Sequence, residues 1–393
     1  MVNLPLQRVP IVDYGPLEPA MTRYREAGTA RARELGNRGP IRFAETADPP
    51  ARPALHPDIT EAYWRLGFYV FEGVLGEAEL KGLERDLAEM LSRAPAARDA
   101  DVDAEGRPAL GAGCQARNLS WVRPLSDPLG GTDYAHGRHP VRMAEPVPPP
   151  GAPEHVLQLI LGSLQFSEAA LRLYGHPQLL AVAAAINGDD FTPFNEAVWI
   201  KQPGLGGSVA WHQDGWTHWN SPDLDAGTHG FNFMAQLYGC NASNGLWVVP
   251  GSHGSKADIK AMVESAGSDR LPEAVPLLCE SGDVAICNRQ IVHGSFANTS
   301  ADVRVTFNFG FHRRRSVLGV TSGGIHNPVA EYDEAYIHER SRLIQYAIDA
   351  RRQRFPEETP YFYRPLADEA ERYRWGPAAK ADLKDYNLLD LGI

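Results

Sequence analysis

Between Phe191 and Phe311 the chain is a succession of short runs rich in β-branched and aromatic residues, broken by Gly, Asn and Pro turns. The runs are Glu196–Gln202, Ser208–His212, Gly230–Tyr238, Leu246–Val249, Ala274–Leu278, Asp283–Asn288 and Val303–Phe311. Short strands at this spacing predict a sandwich or jelly roll. The runs do not alternate with helical stretches, which argues against a doubly wound parallel sheet. There is no GxGxxG, Walker or GxSxG motif and no internal repeat. The expected fold is therefore a mainly β core with flanking helices (α+β), a double-stranded β-helix of the jelly-roll, cupin-like kind, centred on about 191–311.

The flanks read differently. Residues 1–56 are rich in Pro, Arg and Gly and are expected to form an extended arm, with one short helix around Met21–Leu35. Ile59–Leu66 looks helical and stops at Gly67, a C-cap signal. Phe68–Leu75 reads as a strand, and Glu77–Ser92 as an amphipathic helix with Leu80, Leu83, Leu87, Met90 and Leu91 at helical spacing. Residues 95–154 are loop-rich and suit either a lid or a solvated loop. Residues 155–186 read as helical, interrupted near Gly175-His176-Pro177. Asp333–Phe355 is a further amphipathic helix, and the aromatic tail 356–393 is expected to pack back on the core. This gives an arm (1–56), a central domain (57–315) and a helical C-terminal extension (316–393).

Of the 393 residues, 43% are hydrophobic and 22% charged, as in a soluble globular protein. A net charge of −11 without a dense Lys/Arg run argues against nucleic acid or an anionic membrane as partner. Four cysteines without a CxxC pair suggest reduced thiols and a cytoplasmic setting. No signal peptide or membrane-spanning run is visible. The expected partner is a small-molecule substrate, with the protein a monomer or a homo-oligomer.

Within the β region, Val209–Trp219 reads V-A-W-H-Q-D-G-W-T-H-W. On an extended segment His212 and Asp214 point to the same side. Two His and one carboxylate on one face of an iron form the ligand set of non-haem Fe(II) oxygenases. By itself His-x-Asp is also what a turn with a solvated Asp looks like. A second His is available in His293, which follows the strand and turn at 282–292, 79 residues on (293 − 214). His293 alone reads equally as a structural His. Eleven residues further (304 − 293), Arg304 opens the last strand. A guanidinium fork matches the distal carboxylate of a keto acid chelated to iron, and Ser295 would add a hydroxyl. The alternative for Arg304 is a surface ion pair.

Alternation places Asn195, Trp199 and Lys201 on one face of a strand, and Thr306 and Asn308 on the face of Arg304. If inward, Asn195, Lys201 and Gln236 are buried polar groups that need partners, and the cosubstrate would supply one. Trp199, Trp216, His218, Trp219 and Asn308 are candidates for a substrate pocket.

In this order the motifs resemble the phytanoyl-CoA dioxygenase-like Fe(II)/2-oxoglutarate oxygenases. They are L-G-F-Y-V-F-E-G-V-L (66–75), W-I-K-Q-P-G (199–204), W-H-Q-D (211–214), N-G-L-W-V-V-P-G-S-H (244–253), G-D-V (282–284), H-G-S (293–295) and Arg304. The resemblance runs from about Ile59 to Phe311. It implies a double-stranded β-helix, His212, Asp214 and His293 on Fe(II), and Arg304 and Ser295 on 2-oxoglutarate. It also implies use of O2 to oxidise, most simply to hydroxylate, an unactivated C–H, with release of succinate and CO2. Related halogenases carry Gly or Ala where Asp214 stands, so oxygenation is favoured over chlorination. The rivals are a cupin-type metalloenzyme that does not use 2-oxoglutarate and a ligand-binding barrel without turnover.

Overall fold

The computed structural model describes residues 12–45, 54–215, 230–323 and 327–392. In chain order the elements are α1 (Glu18–Glu34), β1 (Arg38–Gly39), α2 (Pro57–Leu66), β2 (Phe68–Phe71), α3 (Glu77–Ser92), β3 (Leu119–Val122) and β4 (Val156–Leu161). Then come α4 (Glu168–Tyr174), α5 (Pro177–Asn187), β5 (Thr192–Lys201), β6 (Val209–His212), β7 (Gly230–Gln236), β8 (Trp247–Val248) and α6 (Ile259–Ala266). Last are β9 (Val275–Pro276), β10 (Val284–Asn288), β11 (His293–Ser295), β12 (Arg304–His312), α7 (Arg314–Val317) and α8 (Glu334–Arg354). The major sheet has the order β1-β2-β10-β7-β12-β5-β4-β3, and the minor sheet β6-β11-β8-β9. This is the jelly-roll core with flanking helices that the strand spacing predicted.

The period of two along β12 explains how the major sheet works. Val305, Phe307, Phe309 and Phe311 point to the helical side and join the main core. There Tyr174 of α4 meets Phe309 and Phe311 at 5.4 and 5.2 Å between ring centroids. Arg304, Thr306 and Asn308 point the other way, into a cavity of about 750 Å³. β5 repeats the pattern, with Val198 and Ile200 in the core and Asn195, Ala197 and Trp199 on the cavity wall. Helices thus close one face of the sheet, and the other is free for chemistry.

Two readings of the flanks need correction. Residues 155–186 are not helical throughout, because Val156–Leu161 is strand β4, between β3 and β5. Its sequence V-L-Q-L-I-L is buried on both faces, so it lacks the polar alternation that identifies a half-buried strand. The helix expected around Met21–Leu35 in the arm is α1, which runs for 17 residues. Tyr24 stacks on Trp247 at 4.5 Å, and a Cβ at Gly28 would lie 2.5 Å from the same indole. Helix α1 therefore packs on β8 of the minor sheet. The predicted strand at Phe68 ends at Phe71, whereas Glu77–Ser92 is helical over the expected span.

Gly67 ends α2 with φ +82° and donates its amide to Tyr63 O at 2.7 Å. A Cβ there would also sit 2.6 Å from His253 Nδ1. His253, in the P-G-S-H turn, faces Trp64 O through Nε2 at 3.0 Å, a structural role. A Gly67→Ala protein should lose more than about 1 kcal/mol of stability, because Ala is strained at positive φ, and the imidazole must also move. Urea denaturation of the two proteins checks this, and an unchanged midpoint would contradict it.

All four cysteines are free thiols. No helix among the described residues is long and apolar enough to cross a membrane.

Candidate metal centre

β6 and β11 pair antiparallel with His212 directly opposite His293. Asp214 follows two residues after β6, and its amide donates to Arg289 O at 2.9 Å. This bond pins it to the turn that precedes β11. The intervening Gln213 is an anchor. Its Nε2 faces the carbonyls of Gln290, Ser255 and Ser252 at 2.6, 3.0 and 3.2 Å, while its Oε1 accepts from Ala257 N at 2.8 Å. One ligand atom from each of His212, Asp214 and His293 lies within 4.8 Å of the others.

The donor chemistry fits a divalent iron. His212 Nδ1 faces Ala210 O at 2.8 Å and His293 Nδ1 faces Ile291 O at 2.9 Å. A carbonyl can only accept, so each Nδ1 carries the proton and each Nε2 keeps its lone pair for a metal. The Nε2 atoms lie 3.5 Å (His212) and 3.9 Å (His293) from the two Asp214 oxygens. Burial pushes His293 down to about 3, with the neighbouring His212 adding to the effect. Burial would raise the Asp214 carboxyl, but the neighbouring His212 and the charge of Arg138 outweigh it and hold Asp214 well below the usual carboxylate range. The cluster thus offers two imidazoles with an Nε2 lone pair each and one carboxylate, the open facial set of an Fe(II) oxygenase.

Arg304, at the start of β12, lies on the wall of the same cavity as Ser295 and Thr306. Its guanidinium is buried. Its Nη1 donates to Asn244 O at 3.2 Å, and no carboxylate among the described residues pairs with it. A buried, uncompensated guanidinium is unfavourable, so the pocket is built to receive an anion. Burial lowers the Arg304 pKa, and an arginine side chain stays charged in proteins.

The other expected residues divide. Asn195, Trp199 and Asn308 lie on the cavity wall. Lys201 and Gln236 do not. Lys201 ends β5 and donates from Nζ to Phe296 O. Gln236 stands opposite Thr306 in register and accepts from its hydroxyl at 2.9 Å. The partners these two buried groups needed are therefore within the protein. Trp216, His218 and Trp219 lie outside the described residues.

Two residues of the centre had no motif to betray them. Arg138 reaches in from the loop before β4 and places Nη1 3.3 Å from Asp214 Oδ1. His139 lays its ring 4.2 Å from that of His212. From the segment 95–154, Trp121, Leu129, Tyr134 and Arg138 all line the cavity.

Burial also pushes His176 down to about 3 and depresses His139. An unfolded His has a pKa near 6.5, so between about 6.5 and 3 the unfolded chain binds more protons. Stability then rises with pH across that window and is lost on acidification. Denaturant unfolding of the metal-free protein at pH 7, 6 and 5 should show a steady fall, and a flat profile would contradict the neutral, buried state of these rings.

The family model described as Phytanoyl-CoA dioxygenase (PhyH) matches residues 63–306. Phytanoyl-CoA dioxygenase 1 of Oryza sativa subsp. japonica is 33% identical over 112 residues, 26% of this chain and 37% of that protein. The similarity thus spans little more than a third of that relative. EctD from S. alaskensis, solved with 2-oxoglutarate and 5-hydroxyectoine, is 19% identical with a TM-score of 0.46, over 71% of this chain and 82% of that one. AviO1 from Streptomyces viridochromogenes Tue57 is 22% identical with a TM-score of 0.43, over 68% and 96%. Fe(II) and 2-oxoglutarate are the cofactors of this oxygenase family, and the donor set and anion pocket above suit both. His212, Asp214, His293 and Arg304 all fall inside the matched span, which takes in well over half of the sequence, and the chain belongs to the phytanoyl-CoA dioxygenase family.

Proposed function

We propose that the protein is an Fe(II)- and 2-oxoglutarate-dependent oxygenase that hydroxylates an unactivated C–H of a small metabolite or biosynthetic intermediate. Iron would be held by His212, Asp214 and His293, and the distal carboxylate of 2-oxoglutarate by Arg304 and Ser295. The bound iron and cosubstrate supply dioxygen activation coupled to oxidative decarboxylation, with succinate and CO2 as by-products. The protein's part is to bind, orient and cover. Arg304 fixes one end of the cosubstrate, so that its keto acid end is presented to the metal. The segment carrying Arg138 and Tyr134 covers the centre and limits water. The observation that carries this reading is the placement of an uncompensated buried guanidinium in the same cavity as the His-Asp-His cluster.

The test is an anaerobic titration of the metal-free protein with Fe(II) and then 2-oxoglutarate, watching for the visible charge-transfer band of the chelate. The band should form in the wild type. Iron binding without a band would favour a cupin-type enzyme that does not use 2-oxoglutarate. No iron binding would favour a ligand-binding barrel.

A further inference from the structure

The cavity extends well past the metal. On the inner face of the major sheet, the side chains pass from Arg304 and Thr306 to Trp199, then Asn308 and Asn195. The wall beyond is made by the C-terminal tail, including Asn387 and Asp390. This tail lies outside the span matched by the family model.

The tail is latched in place. His312 Nε2 faces Leu391 O at 2.8 Å, Tyr332 donates its hydroxyl to Gly392 O at 2.9 Å, and Asn327 Nδ2 donates to Asp390 O at 2.7 Å. Arg340 of α8 donates from Nε and Nη2 to Asp390 Oδ1 at 3.1 and 2.9 Å. The same Nη2 reaches Phe194 O at 3.4 Å, beside Asn195. Glu196, also on the wall, is capped by Ser163 and by Tyr386.

What this end leaves for a ligand is specific. Asp390 Oδ2 has no hydrogen-bond partner among the described residues. The side chains of Asn195 and Asn308 have none either, and both are partly exposed to the cavity. Trp121 and Trp199 add partly exposed indoles to the same wall. Three of the charges nearby are engaged, Arg340 with Asp390, Arg138 with Asp214 at 3.3 Å, and Arg289 over the Phe194 ring at 3.6 Å, while Arg117 and Asp133 line the cavity without an ion pair among the described residues. Free carboxamides both donate and accept, and a carboxylate oxygen takes a hydroxyl proton. Indole faces pack against C–H surfaces. Burial, reinforced by Glu196 and opposed by Arg340, lifts Asp390 to about 7, so near neutral pH it too can act as donor or acceptor.

We propose that the far end of the cavity is a subsite for a neutral, hydroxyl-rich part of the substrate, a hexose or similar polyol, held by Asn195, Asn308 and the tail's Asp390 against Trp199. The inference rests on the reading of the protein as a 2-oxoglutarate oxygenase and names the class of molecule that this site accepts. It makes the tail the element that selects the substrate.

The test uses the full chain loaded anaerobically with Fe(II) and 2-oxoglutarate. Phenyl glucoside, galactoside and mannoside, phenol and a medium-chain acyl-CoA are each titrated, and perturbation of the chelate band is read. At least one phenyl hexoside should perturb the band, and phenol and the acyl-CoA should not. Dissociation of that hexoside should weaken about tenfold in Asn308→Ala and in Asp390→Asn. Asn308 makes no side-chain bond within the described protein, so its variant folds even if loss of the Arg340 ion pair unsettles the tail. Perturbation by phenol or the acyl-CoA alone, by none of the probes, or by a hexoside equally in wild type and Asn308→Ala would overturn the proposal. Failure of the band to form with 2-oxoglutarate in the wild type would instead remove the oxygenase reading beneath it.

Discussion

An Asp214→Ala protein is expected to bind Fe(II) more than about a hundredfold more weakly than the wild type and to release no succinate. Groups that merely support metal ligands typically contribute 10–100-fold, and Asp214 is proposed as a ligand. It is the only anionic member of the cluster, so its loss also removes the charge that balances the ion. Its removal strips a partner from Arg138 at 3.3 Å and from Arg289 at 4.0 Å, leaving two guanidinium groups facing where the ion should sit. The same loss is expected in His293→Ala. Anaerobic calorimetry with Fe(II) measures the effect, and circular dichroism shows whether the barrel persists. Full activity in either variant would sink the metal assignment.

The second large effect is expected at the other end of the cosubstrate. Truncating one partner of a buried charge pair costs about 2–5 kcal/mol, which is roughly thirtyfold to several-thousandfold in a dissociation constant. Arg304→Ala should weaken 2-oxoglutarate by an amount in that range and leave Fe(II) affinity nearly unchanged, since Arg304 is no part of the metal cluster. Arg304→Lys should recover little, because an ammonium lacks the planar fork. A titration in which Arg304→Ala forms the chelate band at the wild-type concentration of 2-oxoglutarate would show that another group holds the carboxylate.

These two predictions rest on residues that could be found without coordinates, and the reason is physical. A metal ligand set imposes residue type, and a strand imposes the spacing of two that brings His212 and Asp214 to one side. The alternation of β12 likewise placed Arg304 and Asn308 on one face before their surroundings were known. Alternation gives a face, however, and not a partner. Lys201 and Gln236 were expected to wait for the cosubstrate, yet Phe296 O and the Thr306 hydroxyl satisfy them. Those partners come from other segments, and the sequence holds no signal for them. β4 was lost for a different reason, because a strand buried on both faces carries no polar alternation. Arg138, His139 and Asp390 come from a loop and a tail that lack any period. Only folding brings them to the cavity.

The pairing of β6 with β11 carries one more consequence. The two imidazoles meet only when strands 81 residues apart (293 − 212) lie side by side. During synthesis, no earlier portion of the chain holds the complete ligand set. With this proposed ligand set, iron capture would wait until the chain past His293 has left the ribosome and a non-local, slowly formed contact has closed. A partly made or misregistered chain would bind the ion poorly, and metal content becomes a readout of whether the barrel has shut.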